Sequence, residues 1–79
     1  MRILLVEDDE RLVEALLPRL YAAGWEAEAC GDGEEGWLLA QSGAYDAIAL
    51  DRMLPGLDGL GLLRRIRGAG LPVPVIFIT

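Results

Sequence analysis

The chain contains no histidine, no lysine and a single cysteine, Cys30. These absences exclude a Ser-His-Asp triad, a Cys-His dyad, an internal disulfide and the usual zinc sites. Arginine supplies all 7 basic residues against 13 acidic ones, and the resulting net charge of −6 argues against direct nucleic-acid binding. Any chemistry must therefore depend on carboxylates, hydroxyls and arginines.

The length and the apolar content of the chain define a small folded unit. Seventy-nine residues, of which 53% are hydrophobic, suffice for one core and exclude a disordered chain. No apolar run approaches the roughly 20 residues that a membrane span needs. The start, MRILLVEDD, has acidic residues where a signal peptide would have its cleavage site. We therefore expect a cytoplasmic protein that does not associate with membranes.

Apolar runs and three- to four-residue periodicity alternate along the chain. Pro18 predicts either a kink or an early end in the first helix, and the sequence leaves both open. Leu60, Leu63 and Ile66 are the expected inner face of the third helix. The pattern predicts strands at residues 2–6, 25–30, 47–50 and 73–78, and helices at residues 10–23, 34–41 and 59–67.

This β-α-β-α-β-α-β order predicts an α/β fold, a doubly wound parallel sheet with helices on both faces. Right-handed crossovers restrict the topology. If the second strand lies on one side of the first, and the third and fourth lie on the other, the strand order is 2-1-3-4, with the reversal between the first and third strands. Ligands bind beside such a reversal, at the carboxyl ends of the strands. Asp8 and Asp9 follow the first strand, Asp51 the third and Thr79 the fourth, so we expect them to converge.

Three carboxylates in one crevice repel each other, so one must take up a proton or a cation must bind among them. Magnesium prefers oxygen ligands, and a carboxylate whose charge is balanced in this way can attack phosphorus to form an acyl phosphate. Thr79 could donate a hydrogen bond to that phosphoryl group. The alternative is that Asp8 and Asp9 cap the first helix and that Asp51 only ends its strand.

Three segments, LLVEDD at 4–9, DRMLPGLDG at 51–59 and PVIFIT at 74–79, resemble the receiver domain of bacterial two-component response regulators. The resemblance implies a flavodoxin-like (CheY-like) fold in which Asp51 accepts a phosphoryl group from a sensor histidine kinase. It also implies Mg²⁺ held directly by Asp9 and Asp51, by Asp8 largely through water, and by the backbone carbonyl of Met53. Thr79 matches the family's switch hydroxyl.

The sequence of the 53–59 segment, MLPGLDG, resembles that of the OmpR/PhoB class, whose receivers precede a DNA-binding domain that controls transcription. Family receivers have about five strands and five helices, so we expect residues 1–79 to be the N-terminal part of a receiver. The output domain, the fifth strand, the last two helices and the family's lysine would then be absent. An uncovered fourth strand and sheet face predict a homodimer or larger assembly.

Two other functions stay open at this stage. One is a receiver-like dimerisation module that works without phosphorylation, and the other is a fragment of an aspartyl-phosphate phosphotransferase. The latter usually carries a second acidic residue two positions after the nucleophile, where this chain has Met53. We therefore favour a self-phosphorylating signalling module without conventional enzymatic turnover.

Gly31, Gly33 and Gly36 spell GxGxxG between the second strand and the second helix. In a dinucleotide-binding protein this motif cradles a pyrophosphate. Here the three residues interspersed among the glycines, Asp32, Glu34 and Glu35, would repel that anion, and the motif follows the second strand instead of the first. We therefore reject the dinucleotide reading.

Overall fold

The computed structural model describes residues 1–78 and contains one parallel sheet. The order of its strands is 2-1-3-4, as predicted, and the first strand pairs with both the second and the third. The carboxyl ends of the two central strands are therefore neighbours. The strands are β1 (Arg2–Val6), β2 (Glu26–Cys30), β3 (Ala47–Leu50) and β4 (Val75–Phe77).

Each helix begins directly after an aspartate whose side chain accepts hydrogen bonds from backbone N–H groups of the first turn. The helices are α1 (Glu10–Ala22), α2 (Gly33–Ala40) and α3 (Gly59–Gly68), and their caps are Asp9, Asp32 and Asp58. Helix α1 continues through Pro18, so the early end that the sequence left open does not occur. None of these helices is long and apolar enough to cross a membrane.

The sheet separates two apolar layers, because alternate residues of each central strand point to opposite faces. Leu4 and Val6 of β1 pack in the layer that contains Leu62 and Ile66 of α3. Ile3 and Leu5 pack in the other layer, which contains the apolar side chains of α1. Helices therefore cover both faces, as a doubly wound fold requires.

Two predictions about α3 and β4 were wrong in detail. Leu60 is 42% exposed, and the inner face of α3 is formed by Leu62 and Ile66. Gly59 packs closely against the end of β3 and, like Leu62 and Ile66, is one of the buried residues of the helix.

Strand β4 begins at Val75 instead of at residue 73. Pro72 and Pro74 have no N–H group to donate to a strand ladder. The carbonyl of Val73 accepts a hydrogen bond from Arg67 at 2.7 Å, while the carbonyl of Pro74 accepts one from the N–H of Ile48 at 2.9 Å. Regular pairing with β3 therefore starts only beyond Pro74.

Candidate functional site

Backbone hydrogen bonds align the ends of the three adjacent strands β2, β1 and β3. The N–H of Glu7 donates to the carbonyl of Cys30 at 2.9 Å, and the N–H of Asp51 donates to the carbonyl of Val6 at 3.0 Å. The strand ladders therefore continue one residue beyond β1 and β3. As a result, the residues that follow these two strands lie side by side at the topological reversal.

Three carboxylates meet at this point: those of Glu7, Asp8 and Asp51. Oxygen atoms from all three lie within 4.8 Å of one another. Glu7 is 3% exposed and Asp51 9% exposed, whereas Asp8 lies at the surface. The structure thus brings two of the predicted residues, Asp8 and Asp51, together with a third that the sequence reasoning missed.

Asp9 occupies a different position from the one expected of a metal ligand. Its Oδ1 accepts hydrogen bonds from the N–H groups of Arg11 at 3.0 Å and Leu12 at 3.4 Å, so it is the N-cap of α1. Its own N–H donates to Oε2 of Glu7 at 3.0 Å. Within residues 1–78, the carboxylate group at the strand ends contains Glu7 in its place.

The order of the three acidic residues contains a signal that would have separated their roles. A helix that starts at residue 10 needs its N-cap at residue 9, and aspartate is among the preferred residues there. The first two acidic residues of LLVEDD then remain for the strand-end crevice. The capping alternative considered for both Asp8 and Asp9 is therefore correct for Asp9, and Asp8 is a member of the carboxylate cluster.

Glu7 is the most buried of the three carboxylates. Burial raises the pKa of Glu7 above its ordinary value of 4.5, and the neighbouring side chains of Asp8 and Asp51 raise it further. The hydrogen bond from the Asp9 N–H acts in the opposite direction, because it favours the charged form. A bound cation would relieve this repulsion.

The loop that follows β3, residues 52–58, returns towards the cluster. The N–H of Met53 donates to Oδ1 of Asp51 at 3.1 Å, which orients this carboxylate. The Met53 side chain is 80% exposed, whereas the neighbouring Leu54 is 8% exposed and anchors the loop in the core. Met53 thus approaches Asp51 through its backbone. Thr79, the predicted switch hydroxyl, lies outside the described residues.

A cavity of about 310 Å³ opens beside the cluster, between the ends of β1 and β2 and the first turns of α1. Its polar lining residues are Glu7, Asp8, Glu10 and Glu14, and the buried Cys30 also lines it. Burial raises the pKa of the Cys30 thiol to about 11, with a further contribution from the charge of Glu35. The cysteine is therefore a neutral apolar group, and the possible cation ligands around this cavity are oxygen atoms.

Comparison with known families agrees with the fold described above. Residues 3–79 match the response regulator receiver domain. The chain belongs to this family. Among curated relatives of this receiver chain, a transcriptional regulatory protein of Escherichia coli, CusR, is 37% identical over all 79 residues. Protein RcaC of Microchaete diplosiphon is 43% identical over the same length.

Solved structures of receiver domains have the same fold as this receiver chain. The receiver domain of sensor histidine kinase PA1611 from Pseudomonas aeruginosa matches 99% of the chain with a TM-score of 0.92 and 36% identity. That structure contains a magnesium ion coordinated in the active-site cleft. A Francisella response regulator receiver matches 96% of the chain, also with a TM-score of 0.92.

The receiver chain spans only part of the proteins that it matches. It covers 35% of the length of CusR and 12% of the length of RcaC. It covers 66% of the PA1611 receiver and 63% of the Francisella receiver.

Proposed function

We propose that Asp51 accepts a phosphoryl group from a sensor histidine kinase in a Mg²⁺-dependent reaction, and that this modification controls an output. The observation that carries the proposal is the group of three carboxylates within 4.8 Å, with the 9%-exposed Asp51 at the end of a central strand. Clustered carboxylates in a partly enclosed crevice match the requirements of phosphoryl transfer to an aspartate.

The residues present suit a magnesium ion. Mg²⁺ prefers hard oxygen ligands and retains several waters, so a few protein oxygens satisfy it. We assign Asp51, Asp8 and Glu7 as the carboxylate ligands, directly or through water, and the backbone carbonyl of Met53 as a fourth oxygen. When bound, the ion offsets the negative charge of the carboxylates and of the incoming phosphoryl group. Asp9 is assigned to the helix cap instead.

The transfer itself requires one nucleophilic oxygen held in position. A carboxylate oxygen of Asp51 attacks phosphorus, the P–N bond of the donor phosphohistidine breaks, and its electron pair returns to the imidazole, which then takes up a proton. The N–H of Met53, 3.1 Å from Oδ1, restrains the orientation of the Asp51 carboxylate before the attack. Asp51 is also flanked by the strand ends, whereas Asp8 lies at the surface.

The names of the relatives support control of transcription as the output. Proteins named as transcriptional regulators share 37% to 42% identity with the whole chain, and the chain covers about a third of each of them. We infer an OmpR/PhoB-type protein in which a DNA-binding domain outside these residues acts on genes. A cytoplasmic location and the lack of conventional turnover stay predictions from the sequence.

Intact-mass spectrometry after incubation with Mg²⁺ and a small acyl-phosphate donor tests the proposal. The wild-type chain should gain one phosphoryl group, and the gain should disappear with a chelator or in Asp51→Asn. Asp46→Asn is the matched control, since Asp46 precedes β3 at the opposite end of the sheet and binds the N–H of Arg2. A folded wild-type chain without an adduct, or an adduct retained by Asp51→Asn, would contradict the proposal.

A second proposal concerns self-association through β4 and the sheet face beside it. Among residues 1–78, strand β4 pairs on one side only, and Ile76 at its centre is 54% exposed. An exposed apolar edge strand favours pairing with another chain. We expect a concentration-dependent dimer or larger assembly in sedimentation at tens of micromolar, and we expect Ile76→Lys to abolish it. A wild-type chain that sediments as a monomer would contradict this proposal.

If the chain were a dimerisation module that works without phosphorylation, its assembly would not depend on Asp51. Asp51→Asn would then dimerise as the wild type does, both before and after treatment with the phosphoryl donor. A receiver whose assembly responds to phosphorylation would differ between the two treatments only when Asp51 is present. The same sedimentation experiment therefore separates the two functions.

A further inference from the structure

The turn at residues 31–33, between β2 and α2, packs directly on the loop at residues 52–58. The N–H of Gly33 donates to the carbonyl of Pro55 at 3.1 Å. A Cβ atom on Gly33 would lie 1.6 Å from the carbonyl oxygen of Leu57, which is much closer than two non-bonded atoms can approach. The two segments therefore touch through their backbones, and only glycine permits this approach.

Gly56 of the loop also lies close to the turn. A Cβ atom on Gly56 would lie 3.1 Å from Oδ2 of Asp32, and Gly56 has a φ of +75°, which favours glycine. The same Asp32 side chain accepts hydrogen bonds from the N–H groups of Glu34 at 2.8 Å and Glu35 at 3.1 Å. The residue that caps α2 is thus also part of the surface on which the loop rests.

This loop is the segment that connects Asp51 to α3 and carries Met53. Leu54 anchors it in the core, and the N–H of Gly59 closes its far end by donating to the carbonyl of Arg52 at 3.0 Å. The contact with Gly33 adds a restraint from the turn that follows β2, whereas the loop itself follows β3. It acts on Pro55 and Leu57, which lie two and four residues beyond Met53.

We propose that Gly33 is a positioning residue for the candidate site: the backbone contact between turn 31–33 and loop 52–58 sets the position of the Met53 backbone and thereby the affinity for Mg²⁺. This inference rests on the proposed function, since it assumes that the loop contributes to the magnesium site. It assigns a role to a glycine of the GxGxxG motif that the dinucleotide reading left unexplained.

The other two glycines of the motif make different contacts, which supplies matched controls. A Cβ atom on Gly31 would lie 3.7 Å from Glu7 and Asp8 backbone atoms, an ordinary van der Waals distance. A Cβ atom on Gly36 would lie 3.1 to 3.3 Å from side-chain methyl groups of Val6 and Leu62. Gly31→Ala therefore alters the same turn without a clash, and Gly36→Ala crowds the core without touching the loop.

Isothermal titration calorimetry with magnesium chloride, on the wild-type chain and the three variants, tests the proposal. Gly33→Ala must displace the Leu57 carbonyl, and we expect its Kd for Mg²⁺ to rise at least tenfold. Gly31→Ala and Gly36→Ala should bind within about threefold of the wild type, a difference of under 1 kcal/mol. An unchanged Kd in folded Gly33→Ala, or an equal loss in Gly36→Ala, would overturn the proposal.

A measurement on the wild-type chain covers the case in which Gly33→Ala does not fold. Saturating Mg²⁺ should slow hydrogen exchange at the amides of both Met53 and Gly33, if loop and turn move as one unit. The amide of Gly24, which binds the carbonyl of Tyr21 at the far end of α1, is the control. Slower exchange at Met53 with no change at Gly33 would overturn the proposal.

These results also separate this inference from the proposed function. A wild-type chain that binds Mg²⁺ and is phosphorylated on Asp51, beside a Gly33→Ala variant with unchanged affinity, refutes the positioning role alone. A folded wild-type chain that does not bind Mg²⁺ refutes the magnesium-dependent function and the positioning role with it.

Discussion

The first residue of α3, Gly59, offers a sharp test of how closely the loop after Asp51 is packed. A Cβ atom at this position would lie 2.2 Å from the carbonyl oxygen of Asp51, 2.8 Å from Cα of Arg52 and 2.9 Å from a methyl group of Leu50. Two of these three neighbours are backbone atoms, so no change of side-chain rotamer can relieve the contact. In Gly59→Ala the helix and the strand end must move apart by roughly 1 Å.

The magnitude follows from two opposing effects. Overpacking of this kind costs about 3 kcal/mol, at the upper end of the usual range because the contact is with backbone. Alanine is the better helix former by up to about 1 kcal/mol. The net loss in the free energy of unfolding is therefore about 2 kcal/mol, which for a chain of this size lowers the melting temperature by roughly 8 to 16 °C.

Gly68, the last residue of α3, is the matched control. A Cβ atom there meets nothing within 4 Å, and its φ is not positive. Gly68→Ala therefore makes the same chemical change in the same helix without a clash, and should stabilise the chain by about 0.5 kcal/mol or more. Urea unfolding followed by circular dichroism measures both variants. Equal stabilities for Gly59→Ala and Gly68→Ala would refute the packing argument.

Three further predictions concern the acidic cluster and its neighbours. Asp9→Ala should lower the free energy of unfolding by about 1 kcal/mol through loss of the α1 cap, and calorimetry should show little change in Mg²⁺ affinity. Glu7→Gln should stabilise the magnesium-free chain near pH 7 and weaken Mg²⁺ binding at least tenfold. Cys30, which is 7% exposed with a pKa of about 11, should react with iodoacetamide only very slowly near pH 8 until urea unfolds the chain.

The pH dependence of the Glu7→Gln effect follows from the direction of the pKa shift. The pKa of Glu7 is raised in the folded chain, so its contribution to stability is fully present below the unfolded value of 4.5. That contribution is lost as the pH rises through the folded pKa. The stability advantage of Glu7→Gln should therefore be small in acid and grow towards neutral pH, and an advantage that is independent of pH would contradict this account.

The predictions for Asp9 and Cys30 can each be contradicted by a single result. A large loss of Mg²⁺ affinity in Asp9→Ala would restore Asp9 as a ligand and would show that its position at the cap is not its only role. Rapid alkylation of Cys30 in the folded chain would show that the end of β2 opens to solvent, which the burial of its side chain argues against.

The sequence alone predicted the topology and the location of the candidate site. Four apolar segments separated by helical periodicity allow few arrangements, because crossovers between parallel strands are right-handed and short connections join neighbours. The observed order 2-1-3-4 is one of the few that this restriction leaves, and it brings Asp8 and Asp51 together at the reversal. Helix starts were also predictable to within a residue, because aspartates mark them.

The tertiary structure decided which two of three consecutive acidic residues join Asp51 in the carboxylate cluster. Glu7, Asp8 and Asp9 are similar in charge, and the sequence reasoning ranked the last two above the first. The strand ladder continues through Glu7, whose N–H binds Cys30, and this buries its side chain beside Asp51. The first turn of α1 needs a cap, and that takes Asp9 away from the cluster. These are contacts between distant segments, which a local pattern does not contain.

The same distinction explains the glycines and the rotation of α3. In the sequence, Gly31, Gly33 and Gly36 look like one motif, yet the fold gives them three different neighbours. Leu60 fits a helical stripe as well as Leu62 does, and the contact of Gly59 with the end of β3 selects Leu62. Periodicity specifies which residues share a face, while close packing against a particular backbone specifies which face turns inward. Only the assembled sheet supplies that backbone.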